Sequence, residues 1–128
     1  MGQRKEFRIT IPNEKGQIWR LCDALFQRKV NLKTVAGFAA HYGILAIITD
    51  KEDVTREVLK DLGLKFHEIE LLTIKLSNMP GEIAYYAKKL YDADINIEAL
   101  YMVGESTSEG EIAIAVSDLE RALKVLGQ

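Results

Sequence analysis

The sequence predicts an α+β protein. It is made of two copies of one strand–helix–strand–strand–helix unit, and the first copy ends in a further strand that the second lacks. Three observations predict this. The chain repeats itself at an offset of 65 residues, from Phe7 on Leu72 onward. Apolar residues alternate with period two at the start of each copy. Each alternating run leads into an apolar stripe with helical spacing.

The offset holds without a gap from Phe7 on Leu72 to Leu32 on Ile97. Ile9 meets Ile74, Asn13 meets Asn78, Gly16 meets Gly81, Ile18 meets Ile83, Leu25 meets Leu90 and Asn31 meets Asn96. Further on the offset reads as 68, with Ile44, Ala46, Ile48 and Asp50 on Ile112, Ile114, Val116 and Asp118. That assigns three extra residues to the second copy, in the stretch 104–110, whose Gly, Ser and Glu content is that of a loop.

Within each copy the elements follow in order. Phe7, Ile9 and Ile11 alternate with Arg8 and Thr10, and Leu72, Ile74 and Leu76 alternate with Thr73 and Lys75, so both runs are strands with one buried face. Ile18, Leu21, Cys22, Leu25 and Phe26 form the stripe of an amphipathic helix, and Ile83, Tyr86, Ala87, Leu90 and Tyr91 repeat it. Val30-Asn-Leu32 and Ile95-Asn-Ile97 open second strands. Ile44–Thr49 and Ile112–Val116 are short apolar runs suited to central strands. A second helix carries Val54, Val58 and Leu62, then Leu119, Ala122, Leu123 and Leu126. Both end in Leu-Gly, where glycine can take the left-handed cap. Leu64–Glu70 reads as a fourth strand running almost directly into Leu72–Leu76. The boundary falls there, giving domains 1–70 and 71–128. The missing fourth strand leaves 72–76 with an open edge, which a second chain or a strand of the first half is expected to cover.

Composition narrows the function. Of 128 residues, 48% are hydrophobic and 28% charged, which fits a folded domain with a real core rather than a disordered chain. The balance of 17 Lys+Arg against 19 Asp+Glu lacks the basic excess of a duplex-binding surface, so no nucleic acid partner is expected. The charged start MGQRKEFRIT is unlike a signal peptide, and no apolar run is long enough for a membrane helix. The single cysteine, Cys22, cannot form an internal disulfide and sits on the first apolar stripe, so it reads as core. A cytoplasmic location is the expectation. His41 and His67 are isolated, with no metal-ligand spacing, and no nucleophile elbow, phosphate loop or dinucleotide fingerprint occurs. No cofactor, metal or catalytic group is expected.

The order β-α-β-β-α-β is the ferredoxin-like, split βαβ arrangement. A strand leading into Asn78-Met79-Pro80-Gly81-Glu82-Ile83, then an amphipathic helix, then Ile95-Asn96-Ile97, resembles the ACT domain. The first half keeps Asn13 and Gly16 but has Lys15 where that motif has proline. The resemblance covers nearly the whole chain as a tandem pair, two ferredoxin-like ACT units of which the second lacks its last strand. It implies an amino acid ligand, held where the first strand turns into the first helix, commonly at an interface between two ACT units. It also implies polar contacts from the Asn of the turn and the Asn opening the second strand. Candidate ligand-binding residues are therefore Asn13, Lys15, Gly16 and Asn31 in the first half. In the second, which has the fuller motif, they are Asn78, Met79, Pro80, Gly81, Glu82, Ile83 and Asn96.

Physical chemistry supports the same corners. The carboxylate of a free amino acid needs donors, and the first turn of a helix offers unpaired N–H groups and the positive end of the dipole. A glycine lets a ligand approach the backbone, and an Asn carboxamide can both donate and accept. Glu82 can meet an ammonium or complement the helix dipole. The purely structural reading makes Asn13 and Asn78 helix N-caps and Asn31 and Asn96 bend residues. The leading expectation is a regulatory amino acid sensor, a homodimer, with a metabolic enzyme as partner. The alternatives are an interaction module that needs no ligand and an enzyme of unrecognised type.

Overall fold

Phe7, Ile9 and Ile11 are buried along β1 (Gly2–Ile11) while Thr10 between them is exposed, the alternation that period two requires. The computed structural model describes residues 2–39, 41–77, 79–103 and 110–127. It divides into two units. One spans Lys5–Ile69, and the other combines Glu70–Gln128 with the residues up to Arg4.

In the first unit β1 is followed by α1 (Gln17–Gln27), β2 (Leu32–Ala39), β3 (Gly43–Thr49), α2 (Glu52–Asp61) and the start of β4 (Lys65–Leu76). The strands lie in the order β2-β3-β1-β4, with β3 antiparallel to both β1 and β2. Ile9 faces Leu45 and Phe7 faces Ile47. These four, with Leu21 and Leu25 of α1 and Val58 and Leu59 of α2, build the core. The helix stripe is narrower than the sequence predicts. Leu21 and Leu25 are buried, whereas Ile18 and Phe26 at its ends are 51% and 71% exposed. Cys22 is half-buried, and burial pushes its thiol pKa up.

In the second unit β4 is followed by α3 (Glu82–Asp92), β5 (Ile97–Val103), β6 (Gly110–Val116) and α4 (Leu119–Leu126). β6 lies between β4 and β5, antiparallel to each. Its core gathers Leu72, Ile74, Leu90, Ile112, Ile114, Ala122 and Leu126. The side of β4 away from β6 is occupied by the first residues of β1. β1 neighbours β4, and a Cβ on Gly2 would come 2.9 Å from Thr73 Oγ1. A strand from the chain's own start thus stands where the second copy lacks one.

Several expectations are corrected. The strands expected at 64–70 and 72–76 are one continuous β4, since no turn-forming residue separates Ile69 from Leu72. The later repeat offset is 67, not 68. Ile9 faces Leu45 where Ile74 faces Ile112, so Leu45 corresponds to Ile112. Ile44–Thr49 is apolar on both faces, and such a run hides the one-residue slip that exchanges them. Of the two Leu-Gly helix ends only Gly63 is left-handed, with φ 69°, whereas Gly127 has φ −78°. The left-handed residues after α1 and α3 are Lys29 and Asp94, each with φ 60°, one repeat apart. The loop reading of 104–110 falls, for 104–109, outside the described residues.

Candidate functional site

The corner between β1 and α1 is built without a capping side chain. Gly16 holds the N-cap position with φ 85°, a left-handed conformation that favours glycine, and α1 has no acidic residue in its first turn. Gln17 N–H reaches Glu14 O at only 3.4 Å, and the next N–H groups, of Ile18 and Trp19, have no intrahelical acceptor. Asn13 is exposed three residues before Gly16, so it is not the helix cap that the structural reading proposed.

Beside this corner lies a cleft of about 430 Å³, within the size range of small-molecule sites. Its polar lining comes from Asn13, Glu14 and Gln17, all at the corner. Its apolar lining comes from Ile11 and Pro12, from Ile18 of α1, from Val35 and Phe38 of β2, and from Ile44 and Leu45 of β3. Two glycines shape it. A Cβ on Gly37 would stand 3.1 Å from Leu45 Cδ1, and one on Gly43 would stand 3.0 Å from Ile11 Cγ1. Oriented N–H groups and an apolar wall side by side suit a ligand with a carboxylate and an apolar body.

The remaining candidates separate. Lys15 and Gly16 are exposed at the turn and do not line the cleft. Asn31 is not at this corner. Its N–H donates to Asp50 Oδ1 at 2.8 Å and its carbonyl accepts from Asp50 N–H at 3.1 Å, at the end of β3 opposite Gly43. The helix carries the chain back along the sheet, so β2 starts one strand length, about 20 Å, from where β1 ends. In the second unit Asn96 makes the same closure with Ser117, whose hydroxyl accepts from Asn96 N–H at 3.0 Å. Asn78 lies outside the described residues. Met79, Pro80 and Gly81 are exposed at the turn, and Gly81 repeats the left-handed N-cap with φ 86°. Ile83 is 40% exposed. Glu82 is engaged within its own corner, accepting from Ser77 N–H at 2.7 Å and from the Ser77 hydroxyl at 2.9 Å. Gln17, Val35, Gly37 and Phe38 were missed in the sequence. The available signal was Gly37, an isolated glycine inside a strand pattern, which marks a close approach.

Among the described residues no cluster of His, Cys, Asp and Glu is placed to hold a metal ion. Among the same residues no helix is long and apolar enough to cross a membrane.

Fold and corner together define an ACT protein, a pair of such units in one chain. The sequence profile of the ACT domain pair matches residues 4–126, and the chain belongs to that family. A protein of Bacteroides thetaiotaomicron has a similar structure, with a TM-score of 0.89 at 22% identity, covering 98% of this chain and 87% of that one. The regulatory subunit of aspartate kinase from Thermus thermophilus, in its ligand-free form, gives 0.63 at 17% identity, covering 98% and 91%. The corresponding subunit from Thermus flavus gives 0.63 at 20%, with the same coverage. At these identities the likeness establishes the fold. No curated protein matches the sequence.

Proposed function

We propose that the protein is a regulatory amino acid sensor that does no chemistry of its own. The observation that carries this is the cleft beside an uncapped helix start, with Asn13 and Gln17 next to an apolar wall. The carboxylate lies against the free N–H groups of α1, Glu14 or Asn13 meets the ammonium, and the side chain enters the apolar part. Similarity to regulatory subunits of aspartate kinase supports the regulatory role, and a biosynthetic enzyme is the partner that would read the signal. Cys22, unpaired in a chain with one cysteine, suits the cytoplasm, where free amino acids are abundant.

The working form is a homodimer. β2 has a neighbour on one side within its unit, which leaves its other edge available to a second copy. Antiparallel pairing along that edge sets the start of one β2 beside the end of the other. It therefore brings Asn31 of one copy toward the Asn13 corner of its mate, two residues that a single unit holds a strand length apart. Ligand binding favours this arrangement only as far as it binds it more tightly than the separated copies.

A melting scan against the twenty amino acids tests the reading. A ligand at about 100 times its Kd stabilises by about 2.7 kcal/mol, a rise of several degrees for a chain of this size. No rise with any of them at millimolar concentration overturns it. The second reading is an interaction module that needs no ligand. Trp19 and Phe26, 70% and 71% exposed on α1, favour it. Capture of a partner enzyme at equal strength with and without amino acids would decide for that reading.

A further inference from the structure

The same rung of the sheet carries glycine in one unit and methionine in the other. In the first, Ile9 faces Leu45 and Leu45 faces Gly37. In the second, Ile74 faces Ile112 and Ile112 faces Met102. Gly43, opposite Ile11, corresponds in the same way to Gly110, opposite Leu76. Gly37 and Gly43 both line the cleft of the first unit. In the second unit the Met102 side chain, 57% exposed, lies over Gly110, so close that a Cβ there would be 2.8 Å from Met102 Cε.

The helix starts differ in the same sense. Glu82 places a carboxylate in the first turn of α3 and holds Ser77 with both oxygens. Its counterpart is Gln17, and the counterpart of Ser77 is Pro12, which has neither N–H nor hydroxyl. Gln17 lines the cleft, and α1, with no acidic residue in its first turn, keeps an uncompensated positive end. The second corner thus contains a carboxylate and an aliphatic side chain of its own. The first corner has no carboxylate in the first turn of its helix and glycine in place of that methionine, and it has an open cleft.

We propose that the cleft of the first unit takes a free α-amino acid whose aliphatic side chain is the size of methionine or leucine, and that Met102 fills the corresponding space of the second unit from within. This rests on the amino acid reading above and adds which corner binds and what side chain it accepts. The ligand's side chain takes the place of the one Gly37 lacks and lies above Gly43, as Met102 lies above Gly110. A charged side chain is disfavoured because Val35, Phe38 and Leu45 offer it no hydrogen bond or ion pair. The polar groups, Asn13, Glu14 and Gln17, are gathered at the helix start and serve the α-carboxylate and α-ammonium.

Titration calorimetry on the full chain tests this with L-leucine, L-methionine, L-lysine and L-aspartate as probes. Leucine or methionine is expected to bind with one site per chain, at least about tenfold more tightly than lysine or aspartate. Gly37→Met should lower that affinity by about tenfold or more, and Gly37→Ala, which adds one methyl, by less. Met102→Ala combined with Glu82→Gln, which removes both the side chain and the carboxylate, should raise the stoichiometry to two. Preference for a charged probe, two sites in the unaltered chain, unchanged affinity in Gly37→Met and Gly37→Ala, or a single site in the Met102→Ala, Glu82→Gln double variant overturns the proposal. Tight binding of lysine or aspartate would leave the amino acid reading standing, whereas silence from all twenty amino acids would remove both.

Discussion

Asn31 and Asp50 close β2 onto β3 through a reciprocal pair of hydrogen bonds, Asn31 N–H to Asp50 Oδ1 and Asp50 N–H to Asn31 O. Asn96 and Ser117 form the same closure in the second unit. The asparagine that the ACT resemblance assigns to ligand contact thus uses its backbone, in each unit, to tie two strands together.

Removing the side-chain acceptor isolates this role. Asp50→Ala is expected to cost about 1 kcal/mol, the worth of one hydrogen bond. Asp50→Ser should recover most of it, because a serine makes this closure in the second unit. Denaturant midpoints at constant slope measure both. A loss in Asp50→Ala that serine does not recover would contradict the assignment.

Glu68 gives the first unit a defined acid response. Hydrogen bonds from Arg56, at 2.6 and 2.7 Å, and an ion pair with Lys5 at 3.2 Å lower its pKa from 4.5 to about 2. The carboxylate is favoured in the folded state. Its contribution is therefore complete above the unfolded pKa near 4.5 and fades as pH falls toward 2. Between these limits Glu68→Gln should flatten the dependence of stability on pH while leaving other carboxylates to titrate. An identical slope in the variant would show that the network contributes nothing.

Gly16 tests the backbone of the corner apart from its packing. A Cβ there would meet nothing within 4 Å, yet φ is 85°. Gly16→Ala should therefore cost about 1–2 kcal/mol through conformation alone, and Gly16→Asn less, because Asn tolerates the left-handed region. Equal losses for the two, read from thermal melts, would argue against this cause.

Leu25 and Phe26 are neighbours with opposite fates. Leu25 is 1% exposed in the core and Phe26 is 71% exposed. Leu25→Ala is expected to destabilise by about 2–5 kcal/mol. Phe26→Ser should leave stability within about 0.5 kcal/mol. If the exposed face of α1 docks a partner, Phe26→Ser instead weakens capture of that partner. A large stability loss in Phe26→Ser would place this side chain in the core and end its claim on an interface.

Local patterning alone determined much of this protein. The alternation of Phe7, Ile9 and Ile11, the spacing of Leu21 and Leu25, and their echoes at Leu72–Leu76 and Leu90 specify strand, helix and duplication, because a buried face imposes its own period on the residues, although Thr73, expected on an open face between Leu72 and Ile74, is buried as well. Gly16 and Gly81 mark turns in the sequence, since a left-handed corner favours glycine. Tertiary structure decided the rest. The slip between offsets 67 and 68 was hidden in β3, apolar on both faces, and only cross-strand pairing resolved it. That pairing separated Asn31 from Asn13 and set Gly37 against Leu45. It also put Met102 on the rung that Gly37 leaves open, because a cleft is made by residues distant in sequence, and their meeting is fixed by strand register rather than by any motif.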